Sequence, residues 1–162
     1  HVKKDEVELP NGRHASREWI KHPGASAVIP YTAEGNIIMV RQYRYPVQQV
    51  TLEIPAGKLD LKGEEPLECA KRELSEETGY TAGKYTKLFI LATTVGFSNE
   101  HIHTYLAEDL KAGKMHPDDD EFLNLVTIPL AKAIEMVYNG EIIDAKSISA
   151  ILLVDRIKNK KC

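Results

Sequence analysis

The chain has 162 residues, 43% hydrophobic and 28% charged, with a formal net charge of −3. That is an ordinary globular balance with enough length for a proper core, so one domain over residues 1–162 is expected. The acidic balance gives no electrostatic case for nucleic acid or an anionic membrane as partner, and apolar runs such as Ile148–Val154 are far too short to span a bilayer.

In chain order, Val2–Leu9 and Ser16–Lys21 read as two strands about the turn signal Pro10-Asn11-Gly12. A lone subunit offers few residues to bury them, so pairing with a second copy, a homodimer, is expected. Ala25–Pro30 is a short apolar strand. Ala33-Glu34-Gly35-Asn36 turns the chain into a strand over Ile37–Tyr43, and Val50–Ile54 follows before Pro55-Ala56-Gly57 breaks it. Tyr85–Ala92 and His101–Ala107 have strand content, Lys111–Asp120 reads as a polar loop, and Phe122–Thr127 as a strand. Pro129–Tyr138 has helical spacing. Asp144–Lys160 is a last helix capped by Asp144. Mixed strands with few helices give an α+β plan.

The densest information lies between Gly57 and Tyr80. Pro66 suits a first helical turn and Gly79 the left-handed position past a helix end, which predicts a helix over Leu67–Thr78. At 100° per residue, Leu67, Ala70, Leu74 and Thr78 form the stripe to bury. Glu73, Glu76 and Glu77 fall together beside it, at i,i+3 and i,i+4 spacings where like charges repel by a few tenths of a kcal/mol. Arg72, four residues before Glu76, offsets part of that repulsion. A hard divalent cation, which takes oxygen ligands, can offset the rest. A solvated acidic face is the alternative.

The ordered string Gly57, Glu64, Arg72-Glu73-Leu74-x-Glu76-Glu77-x-Gly79-Tyr80 resembles the signature of the Nudix hydrolases. The seven residues between Glu64 and Arg72 match that signature. Six residues, against five in the signature, separate Gly57 from Glu64, which adds one residue to the loop and leaves the helix register untouched. Val40–Pro46, Glu53–Leu59, Gly96–Glu100 and Asp144–Lys146 are similar to strings of the ADP-ribose pyrophosphatase branch. Val95 stands where that branch usually has proline, which leaves the substrate open within the reaction class.

The resemblance implies an α/β/α sandwich around a mixed β-sheet, here preceded by an N-terminal antiparallel strand pair. It implies Mg²⁺-dependent hydrolysis of ADP-ribose to AMP and ribose 5-phosphate, with Mn²⁺ able to serve. The metal ligands carry over to Glu73, Glu77 and the carbonyl of Ala56. Glu76 is a further ligand or the partner that orients Arg72, and Glu64 belongs to the outer shell. The general base comes from an acidic loop, Asp118-Asp119-Asp120-Glu121. Glu121 is the choice because Phe-x-x-x-Val follows it, with a solvated loop as the alternative. Arg41, Arg44, Glu53 and Trp19 are the candidates for substrate binding. Trp19 is either an adenine platform or part of a dimer interface. In relatives the N-terminal strands exchange between subunits. His101 and His103 share a strand face and suggest a metal only weakly, for lack of a third ligand.

Two alternatives to ADP-ribose hydrolysis stand: a pyrophosphatase for another nucleoside diphosphate sugar or a dinucleotide, and a silent ADP-ribose sensor. A sensor would normally have lost signature carboxylates, which are kept here. A prenyl diphosphate isomerase would need a cysteine acid, for which Cys69 on the helix is poorly placed. Cys69 and Cys162 are the only cysteines, one mid-helix and one terminal, and no signal-peptide pattern opens the sequence, so a reducing, cytoplasmic location is expected.

Overall fold

The computed structural model describes residues 1–116 and 123–159. The strands are β1 (Val2–Glu8), β2 (His14–Ile20), β3 (Ala25–Pro30), β4 (Asn36–Arg44), β5 (Gln49–Glu53), β6 (Ala56–Lys58), β7 (Tyr80–Ala92), β8 (His101–Ala112) and β9 (Asn124–Pro129). The helices are α1 (Pro66–Thr78), α2 (Leu130–Tyr138) and α3 (Ala145–Lys158). A four-stranded sheet runs β6-β3-β8-β7, with β3 and β8 parallel and the other pairs antiparallel. A three-stranded antiparallel sheet runs β5-β4-β9, and β1-β2 is a separate hairpin.

β3 explains the layering. All six of its residues are buried, as in a strand covered on both faces. Ala25, Ala27 and Ile29 join Leu106 on β8 and Ala150, Ile151 and Val154 on α3 in the main core. Val28, Tyr105 and Ala107 face the other way, onto Ala70 and Leu74 of α1. The mixed sheet is thus sandwiched between α1 and α3. The inner face of the second sheet, Ile37, Met39 and Leu52, closes the main core together with Leu130 and Ala133 of α2. No helix among the described residues is long and apolar enough to cross a membrane.

α1 keeps its predicted limits within one residue, with Pro66 in the first turn and Gly79 at φ 74° beyond its end. A side chain on Gly79 would also strike the backbone of Lys114 and Met115 at 2.8 Å. Two strands are longer than expected. β7 starts at Tyr80, directly after the Gly79 turn, and β8 runs on to Ala112, so that Tyr80 and Ala112 pair. Residues 111 and 112 therefore belong to a strand, not to the polar loop. Gly83 and Asp109 interrupt the local pattern there, Gly83 leaving room for Asp109 and Asp109 itself at φ 56°.

The β1-β2 hairpin stands off the sandwich. Nearly every residue in it is at least partly exposed, Val2 at 80%. Among the described residues its hydrogen bonds to the sandwich are at its exit. The N–H of Ile20 donates to the Phe97 carbonyl at 2.7 Å, and Asn99 clamps His22 through Oδ1 and Nδ2.

Candidate active site

α1 turns its acidic arc toward β6. Glu73 and Glu77 are buried, at 7% and 3% exposure, and both face the strand that follows Pro55. Glu77 Oε2 accepts from the Ala56 N–H at 3.2 Å. Glu73 lies so close to Gly57 that a Cβ added there would sit 1.7 Å from Glu73 Oε1. The Gly57 position must therefore lack a side chain for the carboxylate to reach the strand.

Arg72 ties the remaining acids to this pair. Its Nε and Nη2 grip Glu64 at 2.9 and 3.1 Å, and its Nη1 reaches Glu73 at 2.6 Å and Glu76 at 2.8 Å. A bidentate guanidinium–carboxylate pair is strong and geometrically specific. Glu64 above all, then Glu73 and Glu76, raise the Arg72 pKa, so the guanidinium stays charged; Arg72 in turn lowers that of Glu64. The arrangement offers two buried carboxylates against a backbone strand, with a third and fourth held by one arginine. No three His, Cys, Asp or Glu side chains among the described residues are converged for a metal. A cation here would take Glu73 and Glu77 with a backbone carbonyl. Those are hard oxygen donors suited to Mg²⁺ or Mn²⁺.

Beyond Pro55 lies a second polar group. Glu53, 3% exposed, accepts from Arg44 Nε and Nη2 at 2.8 and 2.7 Å, from Thr51, and from the buried Lys146. Burial alone would raise the Glu53 carboxyl, but Arg44, Lys146 and Thr51 bring it down to about 2. Lys146 also donates to Asp144 at 3.0 Å, and the Ile54 N–H donates to Ser147 Oγ at 2.8 Å. Lys146 and Ser147 reach Glu53 and Ile54 across 93 residues of chain; Asp144–Lys146 is singled out by the sequence, whereas Ser147 is not.

Arg44 and Glu53 are thus brought together just before the β6 strand that Glu77 meets, but Arg41 is not with them. On a strand, residues three apart point to opposite faces, and Arg41 lies on the face of Tyr43 and Leu52. Within one subunit Trp19 is also elsewhere. Its indole donates to Asp5 Oδ2 at 2.6 Å on the hairpin. The acidic string 118–121, Glu121 included, lies outside the described residues. Two residues before it, the His116 N–H donates to the Glu76 carbonyl at 2.9 Å. Cys69 is buried on α1. Burial first, then the charges of Glu64 and Glu73, push its thiol up to about 12, so it is protonated near neutrality. His103 is displaced toward neutral by burial and by Lys87, and its buried Nδ1 has no hydrogen-bond partner among the described residues.

Residues 20–151 match the model of the NUDIX domain. Over 149 residues the chain is 50% identical to an ADP-ribose pyrophosphatase of Bacillus subtilis, covering 91% of this chain and 80% of that protein. It is 46% identical to a methanol dehydrogenase activator of Bacillus methanolicus, with the same coverage of both. The solved structure of an ADP compounds hydrolase superposes with a TM-score of 0.84 at 26% identity, over 99% of this chain and 87% of that one. With the signature folded so that Arg72 gathers Glu64, Glu73 and Glu76 while Glu77 meets the strand after Pro55, the chain belongs to the Nudix hydrolase family.

Proposed function

We propose that this protein hydrolyses the pyrophosphate bond of ADP-ribose to AMP and ribose 5-phosphate, with Mg²⁺ held by Glu73, Glu77 and the Ala56 carbonyl. The observation that carries the reading is the closure of Glu73 and Glu77 onto the Ala56–Gly57 strand, so tight that a side chain at position 57 would displace the Glu73 carboxylate. A bound divalent cation would neutralise the bridging phosphates and acidify a water. The chain's own residues do the rest. Arg72 keeps Glu73 and Glu76 from repelling each other and fixes their rotamers. Arg44, anchored on Glu53 through Nε and Nη2 and 42% exposed in its side chain, reaches toward the phosphates of the substrate. Glu121, five residues beyond the His116 anchor on Glu76, is the proposed general base. Glu76 orients Arg72 or joins the metal. Arg41, on the other face of β4, is a further proposed substrate contact, and Trp19 serves the substrate across a dimer, which fits the standing-off hairpin. The proposed unit is therefore a homodimer of single-domain subunits in the cytoplasm, with no nucleic acid or membrane partner.

The relatives' names support the substrate, one being an ADP-ribose pyrophosphatase and another an ADP compounds hydrolase. Val95 is 85% exposed on the loop before Phe97, and valine leaves freer there what proline would fix. A freer loop is ordered at an entropic cost on binding, so some leakage to other ADP-sugars is expected. The test is hydrolysis of a panel of nucleoside diphosphate derivatives with Mg²⁺. Release of AMP and ribose 5-phosphate from ADP-ribose at the highest kcat/KM supports the reading. Absence of hydrolysis across the panel removes it.

A further inference from the structure

The segment from Glu53 to Gly57 is held at every residue. The Glu53 carboxylate takes Lys146, the Ile54 N–H takes Ser147, and the Pro55 carbonyl takes the Val28 N–H at 2.9 Å. The Ala56 N–H meets Glu77, and Gly57 lies under Glu73. The last two contacts are to the carboxylates assigned to the metal. The first two come from the first turn of α3, on the opposite side of the sheet from α1.

Ser147 is fully buried, and its hydroxyl has a fixed direction. Its proton goes to Asp144 Oδ2, which also caps the Ser147 N–H at 3.0 Å, so its lone pair faces Ile54. Ile54 lies one residue past the end of β5, is 1% exposed, and its N–H would otherwise need another partner. Pro55 can absorb a shift at Ile54 only through its ψ, because its φ is locked. A displacement at Ile54 has little slack before it reaches Ala56, since the Pro55 carbonyl is also held by Val28.

We propose that Ser147 is a positioning residue for the cation site. With Asp144 fixing its hydroxyl, it sets the place of the Ile54–Ala56 backbone against Glu77, and so the affinity of the site for a divalent cation. The inference rests on the metal reading given above. A purely structural serine would alter stability and leave cation affinity alone.

The experiment is calorimetric titration of Mn²⁺ into the full chain without nucleotide, for wild type, Ser147→Ala and Glu77→Gln, with melting temperatures of the metal-free proteins. Expected are a measurable wild-type Kd, its loss in Glu77→Gln, and at least a fivefold higher Kd in Ser147→Ala. Wild-type Kd in a Ser147→Ala protein that merely melts earlier overturns the proposal and leaves the metal reading intact. Wild-type protein that binds no Mn²⁺, or binding indifferent to Glu77→Gln, removes the metal reading and the proposal with it. If Ser147→Ala does not fold, Asp144→Asn decides. It keeps a cap acceptor but removes the charge that takes the hydroxyl proton, so at least a twofold rise in Kd is required of it, and an unchanged Kd overturns the proposal.

Discussion

A methyl group at position 57 would occupy the space of the Glu73 carboxylate, 1.7 Å from Oε1, and would drive that carboxylate out of its place against the strand. Gly57→Ala is therefore expected to lower kcat at least a hundredfold, about 2.7 kcal/mol of transition-state stabilisation, while the far-ultraviolet spectrum stays native. Unchanged turnover would show that Glu73 need not sit there. Glu76→Gln and Glu77→Gln should each cost a similar factor for different reasons. Glu77 is buried against Ala56, whereas Glu76 is a partner of Arg72. Near wild-type rates for both in saturating Mg²⁺ would sink the metal assignment. Glu121→Gln should lower kcat with little change in KM, since a general base contributes typically 10²- to 10⁴-fold in the transition state. A large drop for Asp118→Asn or Asp120→Asn instead would move the base within the same string.

Among the elements, α1 was readable from local chemistry, because Pro66 and Gly79 are punctuation and the Leu67–Thr78 stripe has the helical period. Its acids and Arg72 share one helix, so their meeting was readable too. The start of β7 was hidden. Gly83 interrupts the pattern, and the strand is fixed by pairing Tyr80 with Ala112, far along the chain. The Lys146–Glu53 pair and the Ser147–Ile54 bond join elements 93 residues apart, for which a sequence has no local signal. The opposite faces of Arg41 and Arg44 follow from strand alternation and were obscured by reading their string as one motif. The junction of β5 and α3 also predicts a pH response. Glu53 is depressed to about 2, so its contribution is present above the ordinary carboxylate range and lost as pH falls from about 4.5 to about 2. The shift corresponds to about 3 kcal/mol at 1.36 kcal/mol per unit. Wild type should lose more stability than Glu53→Gln across that window in denaturant titrations. Parallel losses would show that the Arg44–Glu53–Lys146 group is not coupled to folding.

For the whole molecule, the exposed β1-β2 hairpin is the least explained surface of a lone subunit. Light scattering should report a dimer at micromolar concentration, and a monomer there would count against any role of Trp19 across subunits. The central claim is that the carboxylates gathered on α1 serve hydrolysis of ADP-ribose. It is tested most directly by competition, with equal concentrations of ADP-ribose, ADP-glucose, diadenosine polyphosphate and GDP-mannose, Mg²⁺, and product analysis over time. AMP and ribose 5-phosphate should appear first, with slower leakage from ADP-glucose that Val95→Pro reduces. Preferential cleavage of GDP-mannose would contradict the substrate, and no cleavage of any of the four would contradict the account itself.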